Sequence, residues 1–190
     1  MIAPLEHTIV ISPNSGSDAE LIKPISREIE RIFGFTSEIT PLLEDVDFAH
    51  DPNRNQYHST KILARLAELA PPTALKVLAI TEVDLFIPIL THVYGEAQLG
   101  GKACIVSTCR LKENLSPLSV NEAYRNRVVK EAMHELGHTF TLRHCQDPAC
   151  IMHYCRSVRD VDRKSDQMCR YCKVLIGDEI KRLAKNPSPA

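Results

Sequence analysis

The run His134-Glu135-Leu136-Gly137-His138-Thr139-Phe140-Thr141-Leu142-Arg143-His144 places three imidazoles and a carboxylate within eleven residues, a combination suited to metal-assisted hydrolysis. Residues four apart on an α-helix lie only about 40° apart around its axis, so His134 and His138 share a face and can both reach one ion. Zinc takes neutral imidazole nitrogen readily. Glu135 is not needed as a ligand. Its carboxylate can accept a proton from water acidified by the metal and pass it to a leaving amine. The third ligand, His144, lies six residues beyond His138, so the chain must stop being helical and turn back. Three protein ligands leave a fourth position open, which separates a catalytic zinc from a structural one. The bland alternative is an amphipathic helix with two surface histidines, and the third histidine at this distance weighs against it.

A second cluster follows at once. Cys145 and Cys150 form C-x-x-x-x-C, and Cys169 and Cys172 form C-x-x-C. Four thiolates in two close pairs suit a closed tetrahedral structural zinc. A redox C-x-x-C would call for a thioredoxin-like setting, which is missing, and two disulfides would call for a secreted chain. Cys145 is the immediate neighbour of His144, so an ion clamping the cysteines would also fix the loop that carries the third histidine.

The combined pattern of His134, Glu135, His138, His144, Cys145, Cys150, Met152, Cys169 and Cys172 resembles the archaemetzincin family of metzincin-clan zinc metalloproteases. The matching motifs cover about 40 of the 190 residues. The resemblance implies a zinc metallopeptidase with Glu135 as general base and Met152 in a turn beneath the catalytic zinc. Tyr154, in the run Ile151-Met152-His153-Tyr154, resembles the turn tyrosine of astacin-type relatives, which can stabilise a transition state; a structural tyrosine is the plainer reading. One position departs from the family pattern: Thr141 stands where the family has glycine. That glycine leaves the helix sharply, a turn that often requires positive φ, which β-branched residues tolerate poorly. Either the backbone turns differently here or strain is stored.

The elements that must position these residues alternate between strand and helix. His7 to Ser12 reads as a buried strand. Asp18 to Phe33 reads as a helix with Ile22, Ile25, Ile29 and Ile32 on one side. Phe35 to Thr40 is a second strand, Thr60 to Ala70 a helix stopped by Pro71 and Pro72, and Lys76 to Thr81 a strand continued by Val83 to Phe86. Val93 to Gln98 and Lys102 to Thr108 flank the turn Leu99-Gly100-Gly101. Ser119 and Glu122 read as a capping box, and Val129, Met133, Leu136 and Phe140 form an apolar stripe roughly opposite the two histidines. A last helix is expected near Val174 to Lys185. The expected fold is therefore α/β (α+β) and metzincin-like, one catalytic domain over residues 1–190. Residues 1–140 would form an upper subdomain, a twisted sheet with helices and the long active-site helix. Residues 141–190 would form a small zinc-bound lower subdomain. Tyr94 to Gln98 is nominated as the edge strand that pairs with an extended peptide.

Composition sets limits on partners. A 44% hydrophobic chain of 190 residues can bury a real core, and a net charge of −1 with interspersed signs points to neither a nucleic-acid groove nor a membrane surface. The basic residues near the cysteines, such as Arg156 and Arg159, are offset by Asp160, Asp162 and Asp166. No stretch approaches a membrane span or signal peptide. Seven cysteines, an odd number, fit a reducing compartment, so a cytoplasmic monomer is expected. Cys104, Cys109 and Cys155 are left over as buried thiols, the first two on opposite faces of one strand. The expected activity is zinc-dependent hydrolysis of a peptide or protein substrate with two zinc ions, one catalytic and one structural. The alternative is a zinc-stabilised peptide-binding module with little or no proteolysis.

Overall fold

The computed structural model describes residues 8–14, 19–115 and 120–185. A five-stranded sheet has the order β2-β1-β5-β8-β7, with β1 at Thr8–Pro13, β2 at Ser37–Ile39, β5 at Ala74–Thr81, β7 at Gly95–Ala97 and β8 at Ala103–Ser107. The first four strands of that order run parallel, and β7 closes one edge antiparallel to β8. A separate small sheet joins β3 (His50–Asp51), β4 (Gln56–His58) and β6 (Leu85–Phe86).

The central strands are apolar almost continuously because both of their faces are covered. Ile9, Ile11, Leu78, Ile80, Cys104 and Val106 face α1 (Ile22–Phe33) and α3 (Val120–Thr139). The alternate residues Val10, Val77, Ala79, Ala103 and Ile105 face α2 (Ser59–Leu69). This period of two is what the strand pleat requires. The apolar stripe expected on α3 is buried in full. One cluster continues from the sheet through α3 into Ile151, Met152, Val158, Val161 and Ile176, joining the C-terminal segment to the same core. That segment contains α4 (Val158–Arg163) and α5 (Arg170–Lys185). The mixed α/β class is as expected.

Several details differ from the sequence reading. The run Val83 to Phe86 does not continue β5 but turns into the small sheet, where Tyr57 and His58 pair with Leu85 and Phe86. Cys109 is exposed and lies beyond the end of β8, so it shares no strand with Cys104. The last helix begins four residues before Val174. The capping box at Ser119 falls outside the described residues, as do His7, Asp18 and the tail beyond Lys185.

Candidate metal centres and cleft

The active-site helix ends in a way that decides where His144 goes. The Leu142 N–H donates to the Gly137 carbonyl (3.1 Å) and the Thr141 N–H to the His138 carbonyl (3.0 Å), the paired bonds of a Schellman ending. Such an ending needs a left-handed residue, and Thr141 supplies it at φ 68°. Gly34 ends α1 with φ 75° at no steric cost. Of the two outcomes considered for Thr141, the backbone therefore makes the glycine-type turn and holds the strain, about 1–2 kcal/mol for an L-residue. Three further bonds secure this corner. Lys76 Nζ donates to the carbonyls of Thr139 and Gly101 at 2.7 Å each, and the Gly100 N–H donates to the His138 carbonyl. Burial pushes the Lys76 ammonium down to about 8.

The turn brings His144 back to the helix. The coordinating atoms of His134, His138 and His144 lie within 4.8 Å of one another. His134 Nδ1 donates to the Ile151 carbonyl at 2.9 Å and His138 Nδ1 to the Leu142 carbonyl at 2.6 Å. A carbonyl can only accept, so each neutral ring carries its proton on Nδ1 and turns a bare Nε2 inward; these two Nε2 atoms are 3.1 Å apart. Two inward lone pairs at that distance suit a cation between them, so the donor set fits zinc. Burial, with Lys164 nearby, holds the His134 ring well below the usual imidazole range. Burial brings His138 down to about 4, and His144 is lowered for the same reason. All three are thereby neutral, the form that binds metal. His144 is held differently from the other two. It is exposed and, among the described residues, no hydrogen bond fixes its ring. It stacks instead on His134 (5.3 Å between centroids) and meets Tyr154 (5.0 Å).

Glu135 sits beside these rings and is buried. Burial and the neighbouring Glu131 push its carboxyl well above the usual range, while Lys164 opposes them. A divalent cation at the histidines would act in the same direction as Lys164. The place of Glu135 depends on Gly95 in β7: a Cβ there would lie 2.6 Å from Glu135 Cγ and 2.6 Å from the Ile105 carbonyl oxygen. Gly137 performs a parallel service for Met152, whose sulfur would be 2.5 Å from an added Cβ. Met152 thus packs directly beneath the helix turn that bears the histidines.

The cysteines form a second centre. The sulfurs of Cys145, Cys150, Cys169 and Cys172 also lie within 4.8 Å of one another, with Cys145 and Cys169 at 3.7 Å. Cys169 immediately precedes α5, and backbone N–H groups there point at sulfur: Cys169 N–H to Cys150 and Cys172 N–H to Cys169. Such donors stabilise thiolate. Burial opposes this at Cys169, yet the N–H bond and the neighbouring thiols leave its thiol lowered. None of the seven cysteines is in a disulfide. The Cys145 N–H donates to the Met152 carbonyl, and His153 Nδ1 donates to the Cys145 carbonyl. The cysteine centre, the methionine turn and His144 are thus one connected loop, and His153 is accounted for by that bond.

A cleft of about 630 Å³ opens over the histidines, walled by β7 and residues 87–94 on one side and by Tyr154, Cys155 and Arg156 on the other. The nominated segment Tyr94 to Gln98 forms this edge, with β7 at the border of the sheet. Sequence reasoning did not find Gly95, Lys76, Glu131 or Lys164. Gly95 meets Glu135 and Lys76 meets Thr139 across 40 and 63 residues of chain, approaches that no local pattern reports.

A mostly parallel sheet carrying a three-histidine helix beside an open cleft, with a cysteine centre behind it, is the arrangement of a zinc metallopeptidase. Comparison with known proteins makes the assignment specific. The sequence model of Peptidase family M54 matches residues 44–178. The archaemetzincin of Methanocaldococcus jannaschii is 35% identical over 165 residues, 86% of this chain and 89% of that protein. That of Pyrococcus furiosus is 34% identical over 181 residues, 92% and 94% of the two chains. The crystal structure of the Methanopyrus kandleri archaemetzincin superposes with a TM-score of 0.82 at 31% identity, covering 95% of this chain and 98% of that one. The Archaeoglobus fulgidus archaemetzincin, crystallised with malonate, gives 0.76 at 34% identity, covering 88% and 99%. The chain belongs to Peptidase family M54, the archaemetzincins. Membership favours the peptidase over the peptide-binding module. Among the described residues no helix is long and apolar enough to cross a membrane.

Proposed function

We propose that His134, His138 and His144 hold a catalytic zinc, that Cys145, Cys150, Cys169 and Cys172 hold a structural one, and that Glu135 is the general base of peptide hydrolysis. The observation that carries this reading is the pair of Nδ1-to-carbonyl bonds, which turns two unprotonated nitrogens toward each other beside a buried carboxylate. Zinc bound there supplies Lewis acidity, lowering the pKa of water to about 7 and polarising a carbonyl. An extended substrate lies along β7 and adds a strand to the sheet edge, which aligns its scissile bond with the helix. Glu135, buried beside the histidines in the space that Gly95 leaves open, takes a proton from the attacking water and delivers it to the leaving nitrogen. Tyr154 meets His144 and lines the cleft, and in this reading its phenol donates a hydrogen bond to the developing oxyanion.

The described residues act as one catalytic domain, those up to Phe140 above the cleft and those from Thr141 on below it. The odd number of cysteines and the interspersed charges favour a cytoplasmic protein without nucleic-acid or membrane partners, and it is taken to act as a monomer. Glu135→Ala is expected to lower turnover of a purified peptide substrate by about 10²–10⁴-fold while zinc per chain stays unchanged. Retained turnover would remove Glu135 from the role.

A further inference from the structure

Lys164, just past the end of α4, is a lysine whose side chain has no solvent exposure. Its Nζ is 2.7 Å from a carboxylate oxygen of Glu131, whose side chain is 4% exposed. Lysine and glutamate are rarely buried this completely, and a buried pair contributes little net stability compared with apolar residues of similar size. Docking of α4 onto α3 does not call for it. Arg127 already grips Asp162 through two bonds of 2.7 and 2.8 Å, and Lys130 reaches the Val161 carbonyl.

The pair differs from those contacts in where it lies. Glu131 is one helical turn before Glu135, and Lys164 Nζ is 3.4 Å from His134 Nδ1, the atom whose proton goes to the Ile151 carbonyl. The residues that follow Lys164 hold the segment carrying that carbonyl: the Ser165 N–H donates to Ala149, and the Ile151 N–H donates to Gln167. Lys164 therefore joins the helix face beneath the histidines to the strip of chain that aims the His134 ring.

We propose that Lys164, paired with Glu131, is a positioning residue for the histidine metal centre, fixing the Ile151 carbonyl so that His134 presents its Nε2 at the coordinating angle. The inference rests on the proposed histidine centre and would deepen it. Lys164 touches no substrate and acts through Glu131, the Ile151 carbonyl and His134. Groups that support a ligand from behind are worth about 10–100-fold in metal affinity.

The test measures zinc dissociation constants of both centres by chelator competition, in the wild type and in the double variant Glu131→Gln/Lys164→Met, which replaces the pair by neutral groups of similar size. Arg127→Gln, which loosens α4 without touching the pair, serves as the structural control. The expected result is a double variant that melts near the wild type and keeps cysteine-centre zinc, but binds histidine-centre zinc about 10–100-fold more weakly. Arg127→Gln is expected to melt lower with histidine-centre affinity unchanged. Should the double variant not fold, Lys164→Arg keeps the charge but not the fit and is expected to weaken the histidine centre alone. Undiminished affinity in the folded variant, or an equal loss in Arg127→Gln, overturns the proposal. A wild type that binds no zinc at the histidines overturns the histidine centre itself, and Lys164's role with it.

Discussion

The two donor clusters share one loop but are built on opposite plans. The cysteine centre gathers four sulfurs from two short segments, with backbone N–H groups turned onto them. The histidine centre has three donors, two of them locked to carbonyls from a buried helix and the third exposed and held by ring contacts. Four matched donors close a coordination sphere and put binding energy into folding. Three donors beside a cleft leave a position for a reacting group. The contrast explains why the strained residue can be tolerated where it is. Thr141 stores its strain in the turn that delivers the open centre's loosest ligand, while Cys145, next to that ligand, is anchored by the closed centre and by the Met152 carbonyl.

Breaking the closed centre should have the largest effect. Structural zinc contributes on the order of 10 kcal/mol of apparent binding energy to small folded units, so Cys172→Ser is expected to lose one zinc and lower Tm sharply. His138→Ala is expected to lose one zinc with a much smaller change in Tm. Equal destabilisation of the two variants, read by calorimetry, would erase the distinction.

A smaller effect comes from protons. Burial depresses His138 from 6.5 to about 4, so in the zinc-free protein its neutral ring contributes stability that is full above 6.5 and is lost as pH falls through about 4. Glu135 works in the opposite sense: its raised carboxyl stabilises the zinc-free fold below its ordinary value of 4.5 and less as pH rises. Melting of zinc-free protein across this window is expected to show Tm falling toward acid, with a shallower fall in His138→Gln. An unchanged slope would place the imidazole in water. The cysteine centre should contribute little to this slope.

The smallest change sharpens the comparison at its weakest ligand. Thr141→Gly relieves the left-handed strain but frees the unfolded chain, leaving a net gain of about 1 kcal/mol at most. A modest rise in Tm is expected, together with histidine-centre zinc that is held at least as tightly. A fall in Tm would mean that the Thr141 methyl, 3.2 Å from where a Gly100 Cβ would lie, contributes more by packing than its backbone costs.

How much of this was legible depends on whether the signal was local. The histidine and cysteine clusters declare themselves by spacing, and Ile22, Ile25 and Ile29 mark α1 by their periodicity. Thr141 could be singled out because the resemblance sets it where the family has glycine, and a β-branched residue tolerates positive φ poorly. The small sheet could not be read, since β3 and β6 contribute two residues each, too few to show alternation. The start of α5 was hidden because Cys169 and Cys172 read as ligands rather than as the residue before a helix and part of its first turn. Gly95 and Lys164 were invisible for a different reason. A glycine in a strand and a lysine after a short helix carry ordinary meanings until the fold sets one against Glu135 and buries the other beside His134.

The central claim is that two centres of unlike design each bind a zinc ion. Elemental analysis of zinc per chain, on protein purified without added metal or chelator, tests it most directly in the wild type and in His134→Ala/His138→Ala. Two zinc ions in the wild type and one in the variant are predicted. A single zinc in both would leave the histidines without metal and contradict the account.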